Sequence, residues 1–384
     1  MAFYFLKEVG SLFRFLIKTK KKDKEIIFYS ERKDYYPYFE GIINELVDKY
    51  EQTFSYITSD PEDPILKNSE IKIKTFYLNK LLPFFMLLVN CKVFVMTLTD
   101  LNQFHLKRSI NPVHYVYVFH AMNSIHMFIR FGSFDYYDSL LCVGPYTSHE
   151  LREYEKLYNL PKKEIVKAGY YRLERIYNNY LKYLKDKKEC LKKTILIAPS
   201  WGKDNIIESY GEKLTEILLN EEYKVIVRPH PETVKRYPKI LNQLENKFKK
   251  NKDFKLERDV VSDNSLLEAD VMISDCSGVV LEYTLGTERP VLILDVPIKV
   301  SNPRYKELGI EPFELKMRKE AGIILSPKEI DKVPEKISEL IGKRSYYKEK
   351  LAKIREKNVY AFGKSSEIGA EHIIEVLKRK KGSN

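Results

Sequence analysis

The sequence is poor in cysteine, and the few cysteines it has are scattered. Its 384 residues include Cys91, Cys142, Cys190 and Cys276, with no CxxC pair and no spacing typical of a zinc site. This distribution excludes a disulfide framework and a cysteine-built structural zinc site. We expect four free thiols, as in a protein of the reducing cytoplasm.

Long hydrophobic runs, internal repeats and low-complexity segments are also missing. The apolar stretch over residues 1–17 is too short and too charged to cross a bilayer, which takes about 20 apolar residues. The composition is that of a folded globular protein. Because 384 residues exceed what one hydrophobic core usually serves, we expect two domains.

Basic residues are in excess, with 66 Lys and Arg against 54 Asp and Glu, a net charge of +12. Such a balance suits an anionic partner, whether a nucleotide diphosphate, a membrane surface or a nucleic acid. The basic residues are spread over the chain and no RNP-like or zinc-finger motif accompanies them. We therefore expect no nucleic-acid partner.

The first 24 residues form a separate segment by composition, with seven basic and two acidic side chains. Lys7, Ser11, Arg14 and Lys18 recur at helical spacing among apolar residues, and a basic run extends to Lys24. A signal peptide would place its charges before the apolar part. The pattern favours an amphipathic helix on an anionic membrane surface. The alternative is a helix packed on its own domain.

From residue 25 onward, short apolar runs alternate with segments of helical spacing, which is typical of parallel α/β sheets. The first set of strands is predicted over 26–30, 54–58, 92–97, 113–119, 139–143 and 164–167, with helices over 38–50, 78–89 and 147–158. A lysine-rich linker is predicted at 182–193. The second set of strands is predicted over 194–198, 223–227, 254–256, 271–274 and 291–294, and helices over 328–341, 346–357 and 365–380.

The stretch from Ser274 to Gly278 reads as a turn between a buried strand and a helix. The free N–H groups and the positive dipole end of a helix start attract anions, and Ser277 adds a hydroxyl. Gly286 predicts the end of this helix. The alternative is an ordinary strand-to-helix turn in which Ser277 serves only as the N-cap.

A second motif, Arg228-Pro229-His230-Pro231, follows directly after a predicted strand. The prolines keep Arg228 and His230 out of the strand ladder, at the carboxyl end where α/β sheets bind ligands. Together with the helix start some forty residues later, this arrangement indicates a diphosphate site.

These motifs resemble those of the CDP-glycerol glycerophosphotransferase family, the teichoic-acid primases and polymerases of GT-B fold. The matching segments are Pro199-Ser200-Trp201, Arg228 to Pro231, Ser274 to Gly278 with Glu282, and Gly363-Lys364-Ser365-Ser366. The sequence differs from the family pattern in three places. Gly278 stands where the family has a second serine, Phe362 where it has an acidic residue, and Phe119-His120-Ala121 where it has Trp-His-Gly.

The resemblance implies an α/β protein of GT-B fold, with two doubly wound Rossmann-like domains facing a central cleft. Residues 25–185 would form the acceptor-side domain and residues 186–384 the nucleotide-donor domain, with the last helix, 365–380, crossing back to the first. The implied reaction transfers glycerol phosphate, or a similar polyol phosphate, from a CDP-activated donor to a hydroxyl of a lipid-linked or glycan acceptor. The expected place is the inner face of the cytoplasmic membrane, where the protein would be peripheral.

The resemblance also assigns residue roles. His120, whose ordinary pKa is about 6.5, would be the general base, and His230 in its protonated form would stabilise the leaving nucleotide together with Arg228. Glu282 would accept from ribose hydroxyls. The other nucleotide-binding candidates are Ser274, Asp275, Ser277, Gly278, Pro199, Ser200, Trp201, Lys364, Ser365 and Ser366. The acceptor-side candidates are Lys107, Arg108, Asn123 and Ser124, of which Lys107 and Arg108 also fit a solvated loop.

The sequence has no DxD motif and no His/Asp metal cluster, so we expect a metal-independent enzyme without a cofactor. Two other interpretations stay open. One is a GT-B glycosyltransferase that uses a nucleotide sugar in capsule or lipopolysaccharide synthesis. The other is a non-catalytic, membrane-bound scaffold of the same fold.

Overall fold

The computed structural model describes residues 2–68, 70–186, 192–259 and 262–382. Within these ranges the strands form two sheets, in which every neighbouring pair is parallel. Cys91, Cys142 and Cys276 are free and buried, as expected, whereas Cys190 lies outside the described residues. Residues 187–191 of the predicted linker also lie outside them, so the domain boundary at 185/186 stays a prediction.

The first sheet has seven strands in the described chain, in the order β3-β2-β1-β4-β5-β6-β7. The strands are β1 (Ile26–Ser30), β2 (Phe54–Thr58), β3 (Ile73–Tyr77), β4 (Val93–Met96), β5 (His114–Val118), β6 (Ser139–Leu141) and β7 (Glu164–Val166). Its helices are α1 (Ala2–Phe13), α2 (Tyr36–Asp48), α3 (Leu82–Leu88), α4 (Pro145–Leu157) and α5 (Tyr171–Asp186). Because β1 and β4 are neighbours, the strand order reverses between them.

The second sheet has six described strands, in the order β10-β9-β8-β11-β12-β13. They are β8 (Thr194–Ile197), β9 (Lys224–Val227), β10 (Phe254–Leu256), β11 (Val271–Ser274), β12 (Val291–Leu294) and β13 (Gly322–Leu325). The remaining helices are α6 (Ile206–Asn220), α7 (Pro231–Arg236), α8 (Pro238–Phe248), α9 (Asn264–Glu268), α10 (Gly278–Thr287), α11 (Phe313–Glu320), α12 (Val333–Gly342), α13 (Arg344–Asn358) and α14 (Ser365–Gly382). The order reverses between β8 and β11.

The predicted α/β fold is confirmed, and three local expectations need correction. Strands β3 and β13 were not predicted; each lies at a sheet edge, where the apolar pattern is weaker. The helix after β11 does not stop at Gly286 but continues to Thr287, and Glu288 ends it in the left-handed conformation. Gly286 has a packing role instead, because a Cβ there would lie 2.7 Å from Ile176 of α5.

Two helices connect the halves of the molecule. α5 follows the first sheet and packs on α10 of the second at the close approach of Gly286. α14 ends the described chain but packs on the first sheet, where Ala370, Ile373 and Leu377 share one core cluster with Ile26 of β1. The two ends of the sequence therefore complete the same domain core.

The amino-terminal segment presents its polar side to the protein and its apolar side to the outside. The Glu8 carboxylate is buried and accepts from the N–H groups of Asn79 and Leu81, at 3.0 and 2.9 Å. Ser11 accepts from the N–H of Tyr77, and Arg14 donates to the carbonyl of Thr75. The contacts with Tyr77 and Thr75 lie along the outer edge of β3, where they bond backbone groups that no neighbouring strand pairs.

The outward side of this segment is apolar, with Phe3, Leu6 and Ile17 each about two-thirds exposed. Phe15 is the exception, buried between Phe76 and Phe85 with ring centroids 5.3 and 5.0 Å away. In the described part of the chain, no helix combines the length and apolar character needed to span a bilayer.

Candidate functional site

A cavity of about 430 Å³ is lined from both sheets. The first sheet contributes the segments that follow β1 and β5, and the second contributes those that follow β8, β9, β11 and β12. All are carboxyl ends of parallel strands, where open α/β sheets bind ligands. Its size is that of a small-molecule site.

The loops after β8 and β11 diverge at the point where the second sheet reverses its order. Asp275 connects them, because its carboxylate accepts from the N–H of Ser200 at 2.9 Å and from the Ser200 hydroxyl at 2.6 Å. The Ser274 hydroxyl donates to the carbonyl of Ala198 at 2.7 Å. Ser274 and Asp275 thus position the segment Pro199–Trp201, which lines the cavity, and do not line it themselves.

The first turn of α10 opens into the cavity at Ser277 and Gly278. Ser277 is the N-cap residue by position, but its side chain makes no capping hydrogen bond. The hydroxyl and the free N–H groups of this turn are therefore available to an anion. The rest of α10, from Val280 to Thr287, is buried, which fixes the direction of the helix axis.

Arg228 lines the same cavity and is 5% exposed. Its guanidinium donates to the carbonyl of Ser262 at 2.9 Å and to the hydroxyl of Ser265 at 2.8 Å, and Glu257 lies 3.5 Å away. Burial lowers the pKa of Arg228, opposed by the charge of Glu257. These contacts hold a positive charge at the wall of the cavity.

His230 begins α7 as its N-cap, and its Nδ1 accepts from the N–H of Glu232 at 3.1 Å. Burial lowers the pKa of His230 to about 4, helped by the positive charge of Lys299. With Nδ1 as an acceptor, the neutral ring carries its proton on Nε2. His230 is thus a neutral donor before an anion enters, and not the protonated ring expected from the sequence.

His120 follows β5 and faces the cavity among tyrosines. Its Nδ1 lies 3.2 Å from the Tyr117 hydroxyl, and its ring centroid lies 5.4 Å from that of Tyr35 and 6.2 Å from that of Tyr38. Burial lowers the pKa of His120 to about 4. The imidazole is therefore neutral at pH 7, as a general base must be.

Three basic residues of the cavity were not among the site residues predicted from the sequence. Arg32 follows β1, Lys299 follows β12, and Arg172 opens α5. The Lys299 ammonium lies 3.0 Å from the ring centroid of Trp201, and burial lowers its pKa to about 8. Arg32 and Lys299 could have been predicted from the sequence, because each lies within five residues of the carboxyl end of a strand.

Glu282 lines the cavity but is already bonded. Its two oxygens accept from the Tyr170 hydroxyl at 2.7 Å and from Arg172 Nε at 3.0 Å. Arg172 also pairs with Asp263 at 3.0 Å, which joins the start of α5 to the second half. Each Glu282 oxygen keeps a second lone pair, so the carboxylate can still accept from a ribose hydroxyl.

The turn at Lys364, Ser365 and Ser366 lies outside this cavity. The Glu174 carboxylate occupies the start of α14 and accepts from the N–H of Gly363 at 2.8 Å and of Ser365 at 3.2 Å. The anion at this helix start is supplied by the protein, which corrects the expectation that the turn binds the donor phosphate.

Three acceptor-side candidates also lie away from the cavity lining. Arg108 binds Asp138 at 3.0 Å, and Lys107 donates to the carbonyl of Asn102. The Ser124 hydroxyl is buried against the Glu314 carboxylate of the second half. All three side chains thus make contacts within the protein. Burial raises the pKa of Glu314 to about 7. Of the acceptor-side candidates, Asn123 lines the cavity.

A group of possible metal ligands lies at the opposite end of the first sheet. His114 and His372 each share a hydrogen bond with the Ser139 hydroxyl, at 3.0 and 2.9 Å. Glu164, the third member, pairs with Arg379 at 2.8 Å. These contacts engage Nε2 of both imidazoles and one oxygen of Glu164, and the group joins α14 to the sheet.

Comparison with known proteins adds independent findings. A family model described as CDP-Glycerol:Poly(glycerophosphate) glycerophosphotransferase matches residues 11–302. The wall teichoic acid polymerase TagF has a similar structure, with a TM-score of 0.63, 16% identity, and 99% of each chain covered. The structure of a TagF variant soaked with CDPG for 15 minutes is also similar, with a TM-score of 0.63 and 16% identity. The match covers 99% of this chain and 98% of that chain.

The structure of S. aureus MnaA with UDP is also similar, with a TM-score of 0.58, 14% identity, and coverage of 92% of this chain and 97% of that chain. No curated protein matches the sequence. Two parallel sheets that face one cavity, together with these neighbours, define an α/β protein of GT-B fold.

The chain belongs to the CDP-glycerol:poly(glycerophosphate) glycerophosphotransferase family, whose model covers most of it. The resemblance drawn from the sequence motifs is thereby confirmed. The match ends before Gly363–Ser366, so the fourth motif lies beyond it.

Proposed function

We propose that this protein transfers a glycerol phosphate, or a similar polyol phosphate, from a CDP-activated donor to a hydroxyl of a cell-surface glycan or lipid-linked acceptor. The observation that carries the proposal is the shared cavity, in which His120 from the first half faces Arg228, His230 and the α10 start from the second. Membership of the family and the likeness to TagF, a teichoic acid polymerase, support this donor and acceptor class.

The chemistry follows from the charges in the cavity. The acceptor oxygen attacks the phosphorus that carries the polyol, and the neutral His120 takes the proton of the hydroxyl. The phosphorus–oxygen bond to the nucleotide breaks, and CMP leaves with an additional negative charge. Arg228, the His230 Nε2–H and the first turn of α10 at Ser277 stabilise this charge. These protein charges need no metal, so we propose a metal-independent reaction.

The identity of the released nucleotide tests the proposal. Phosphopolyol transfer from CDP-glycerol releases CMP, whereas sugar transfer from a nucleotide sugar releases a nucleoside diphosphate. The protein is incubated with CDP-glycerol or with UDP-N-acetylglucosamine and a glycerol phosphate oligomer as acceptor, with and without EDTA. We expect CMP with the first donor, equal rates with EDTA, and no UDP with the second. Release of UDP alone would favour the glycosyltransferase interpretation.

We also propose that the apolar side of the amino-terminal segment rests on an anionic membrane surface. The exposed side chains belong to α1 and to the π-helical turn that follows it, Arg14–Lys18. Helix α3 adds a second exposed group beside them, formed by Phe84, Leu87 and Leu88. Phe15 and Phe85 are in contact, so the two groups are adjacent. The basic run from Lys18 to Lys24 matches anionic headgroups, at about 1 kcal/mol per basic residue.

Deleting residues 1–24 is a poor test, because Glu8, Phe15 and Asp23 are buried. Replacing Phe3, Leu6 and Ile17 by Ser changes only exposed side chains. We expect the native protein to float with liposomes that contain anionic lipid, less so at high salt, and the triple variant to stay in solution with an unchanged thermal unfolding midpoint. Equal flotation of both proteins would contradict the proposal.

A further inference from the structure

Asn123, from the loop after β5, reaches across the cavity to the first turn of α10. Its carboxamide lies against Gly278, where a Cβ would be 2.8 Å from Oδ1 and 3.5 Å from Nδ2. Real Cβ atoms do not approach an oxygen this closely. The glycine therefore makes the room that the asparagine side chain occupies.

The Asn123 Oδ1 atom is buried, and no group of the described chain donates a hydrogen bond to it. A buried carbonyl oxygen without a donor costs free energy, so native structures almost always satisfy it. Asn123 and Gly278 both line the cavity. A molecule bound in this cavity is placed to supply the missing donor.

The position of Asn123 indicates which part of the molecule this is. The residue lies three positions after His120, the proposed base, and its side chain ends at the helix start proposed to hold phosphate. The nucleotide side of the cavity, at Pro199–Trp201 and Glu282, belongs to the other half. A group held at Asn123 lies between the phosphate and the base, which is the place of the transferred group.

We propose that the Asn123 carboxamide and Gly278 form a subsite for a hydroxyl of the transferred polyol, next to its phosphate. Oδ1 accepts from that hydroxyl, and Gly278 keeps the carboxamide in place by having no side chain. A side chain here, such as the serine of the similar family motif, would place its Cβ 2.8 Å from Oδ1, so the asparagine requires the glycine. This inference rests on the proposed function, since it names the group that the donor presents.

Calorimetric binding of CDP-glycerol and of CDP to the full-length protein tests the subsite, because CDP lacks the polyol. We expect Asn123→Ala to weaken CDP-glycerol binding about 5- to 10-fold, the loss of one hydrogen bond, and CDP binding less than 2-fold. Gly278→Ala should also weaken CDP-glycerol binding, because its methyl group displaces the carboxamide. The double variant should be no weaker than either single variant, since both remove one contact.

Each other outcome decides against the subsite. Equal losses for CDP and CDP-glycerol would mean that Asn123 serves the nucleotide. Unchanged CDP-glycerol binding with a raised KM for acceptor would assign the residue to the acceptor hydroxyl instead. Additive losses in the double variant would overturn the pairing. A native protein that binds neither ligand would overturn the proposed function itself, which separates the two failures. If Gly278→Ala does not fold, Asn123→Ala and Asn123→Ser decide alone.

Discussion

The starts of α10 and α14 differ in one respect that decides what each can bind. Each helix has a serine at its start, Ser277 as the N-cap of α10 and Ser365 as the first residue of α14, and the sequence predicted a phosphate contact at both. At α10, Ser277 caps nothing and the turn opens into the cavity. At α14, the buried carboxylate of Glu174 already accepts from the Gly363 and Ser365 N–H groups.

The difference shows that the α10 start is open to an anion from outside, whereas the protein itself supplies the anion at α14. Each start has the positive end of a helix dipole and N–H groups without a partner inside the helix. Glu174 lies 189 residues from Gly363 in the sequence, so no local pattern could show that it occupies this turn. The five predictions below test whether ligand binding belongs to the open start alone.

The largest effect is expected from the base that faces the open start. His120→Asn should lower kcat by about 10² to 10⁴, because the attacking hydroxyl loses its proton acceptor, and should leave CDP-glycerol affinity within about 2-fold. Steady-state rates of CMP release and calorimetry measure the two quantities. The matched control is His149→Asn, an exposed histidine outside the cavity. A loss of donor affinity with kcat unchanged would make His120 a binding residue.

The next largest effect is expected from His230, a hydrogen-bond donor that lines the same cavity as the start of α10. His230→Asn keeps an acceptor for the Glu232 N–H, so α7 stays capped, but it removes the Nε2–H. We expect CDP-glycerol affinity to fall by about 1.5 to 3 kcal/mol, the cost of one hydrogen bond to a charged group. Lys364→Ala, at the occupied start, should change this affinity by less than 2-fold. Equal losses of CDP-glycerol affinity in the two variants would contradict the conclusion that only the α10 start binds the donor phosphate.

Removing the anion of the occupied start should affect stability and not binding. Glu174→Ala leaves the N–H groups of Gly363 and Ser365 without a partner, and we expect the free energy of unfolding to fall by about 0.5 to 2 kcal/mol. Urea denaturation measures this change, and CDP-glycerol affinity should stay within about 2-fold. Weaker donor binding in a variant of unchanged stability would contradict the assignment.

Ser277 and Ser365 provide the matched pair of hydroxyls. Ser277→Ala should weaken CDP-glycerol binding by about 0.5 to 1.5 kcal/mol, since one neutral donor to the phosphate is lost. Ser365→Ala should leave this affinity unchanged. If neither variant binds more weakly, the α10 start holds phosphate through its backbone alone.

The smallest effect is expected from pH. The base works when it is unprotonated, so activity is lost as pH falls through the pKa of His120 in the free enzyme. Because burial lowers that pKa to about 4, kcat/KM should change less than 2-fold between pH 8 and pH 5.5. An ordinary histidine, with a pKa of about 6.5, would lose about ten-fold over this range. A fall of that size would show that the base has an ordinary pKa in the free enzyme.

Local pattern predicted most of the fold and the centre of the site. Buried runs such as Val271–Ser274 are continuous apolar stretches, as parallel strands are, and the prolines around His230 mark the end of β9. Arg228, His230, Ser277 and Gly278 were found because each follows a strand closely. Arg32 and Lys299 follow strands as well and were missed, because a single basic residue in a loop is common.

The rest could not be predicted, because it depends on residues far apart in sequence. The place of Asn123 against Gly278 joins segments 155 positions apart, and Ser124 meets Glu314 across 190. The pKa values of His120 and His230 depend on burial in a cavity that exists only when both halves are folded. The polar pattern of residues 1–24 predicted a helix, but not that Glu8 and Ser11 would face inward.

The return of α14 to the first sheet has a consequence for synthesis. Ala370, Ile373 and Leu377 complete a core cluster that also contains Ile26 and Phe28. During translation, that core lacks these side chains until residue 377 has left the ribosome, so the first sheet cannot finish folding as it emerges. Premature termination near residue 360 would remove α14 and leave an apolar groove on the first sheet, whose strands would all be present. Chaperones and proteases could then recognise the unfinished chain by that groove.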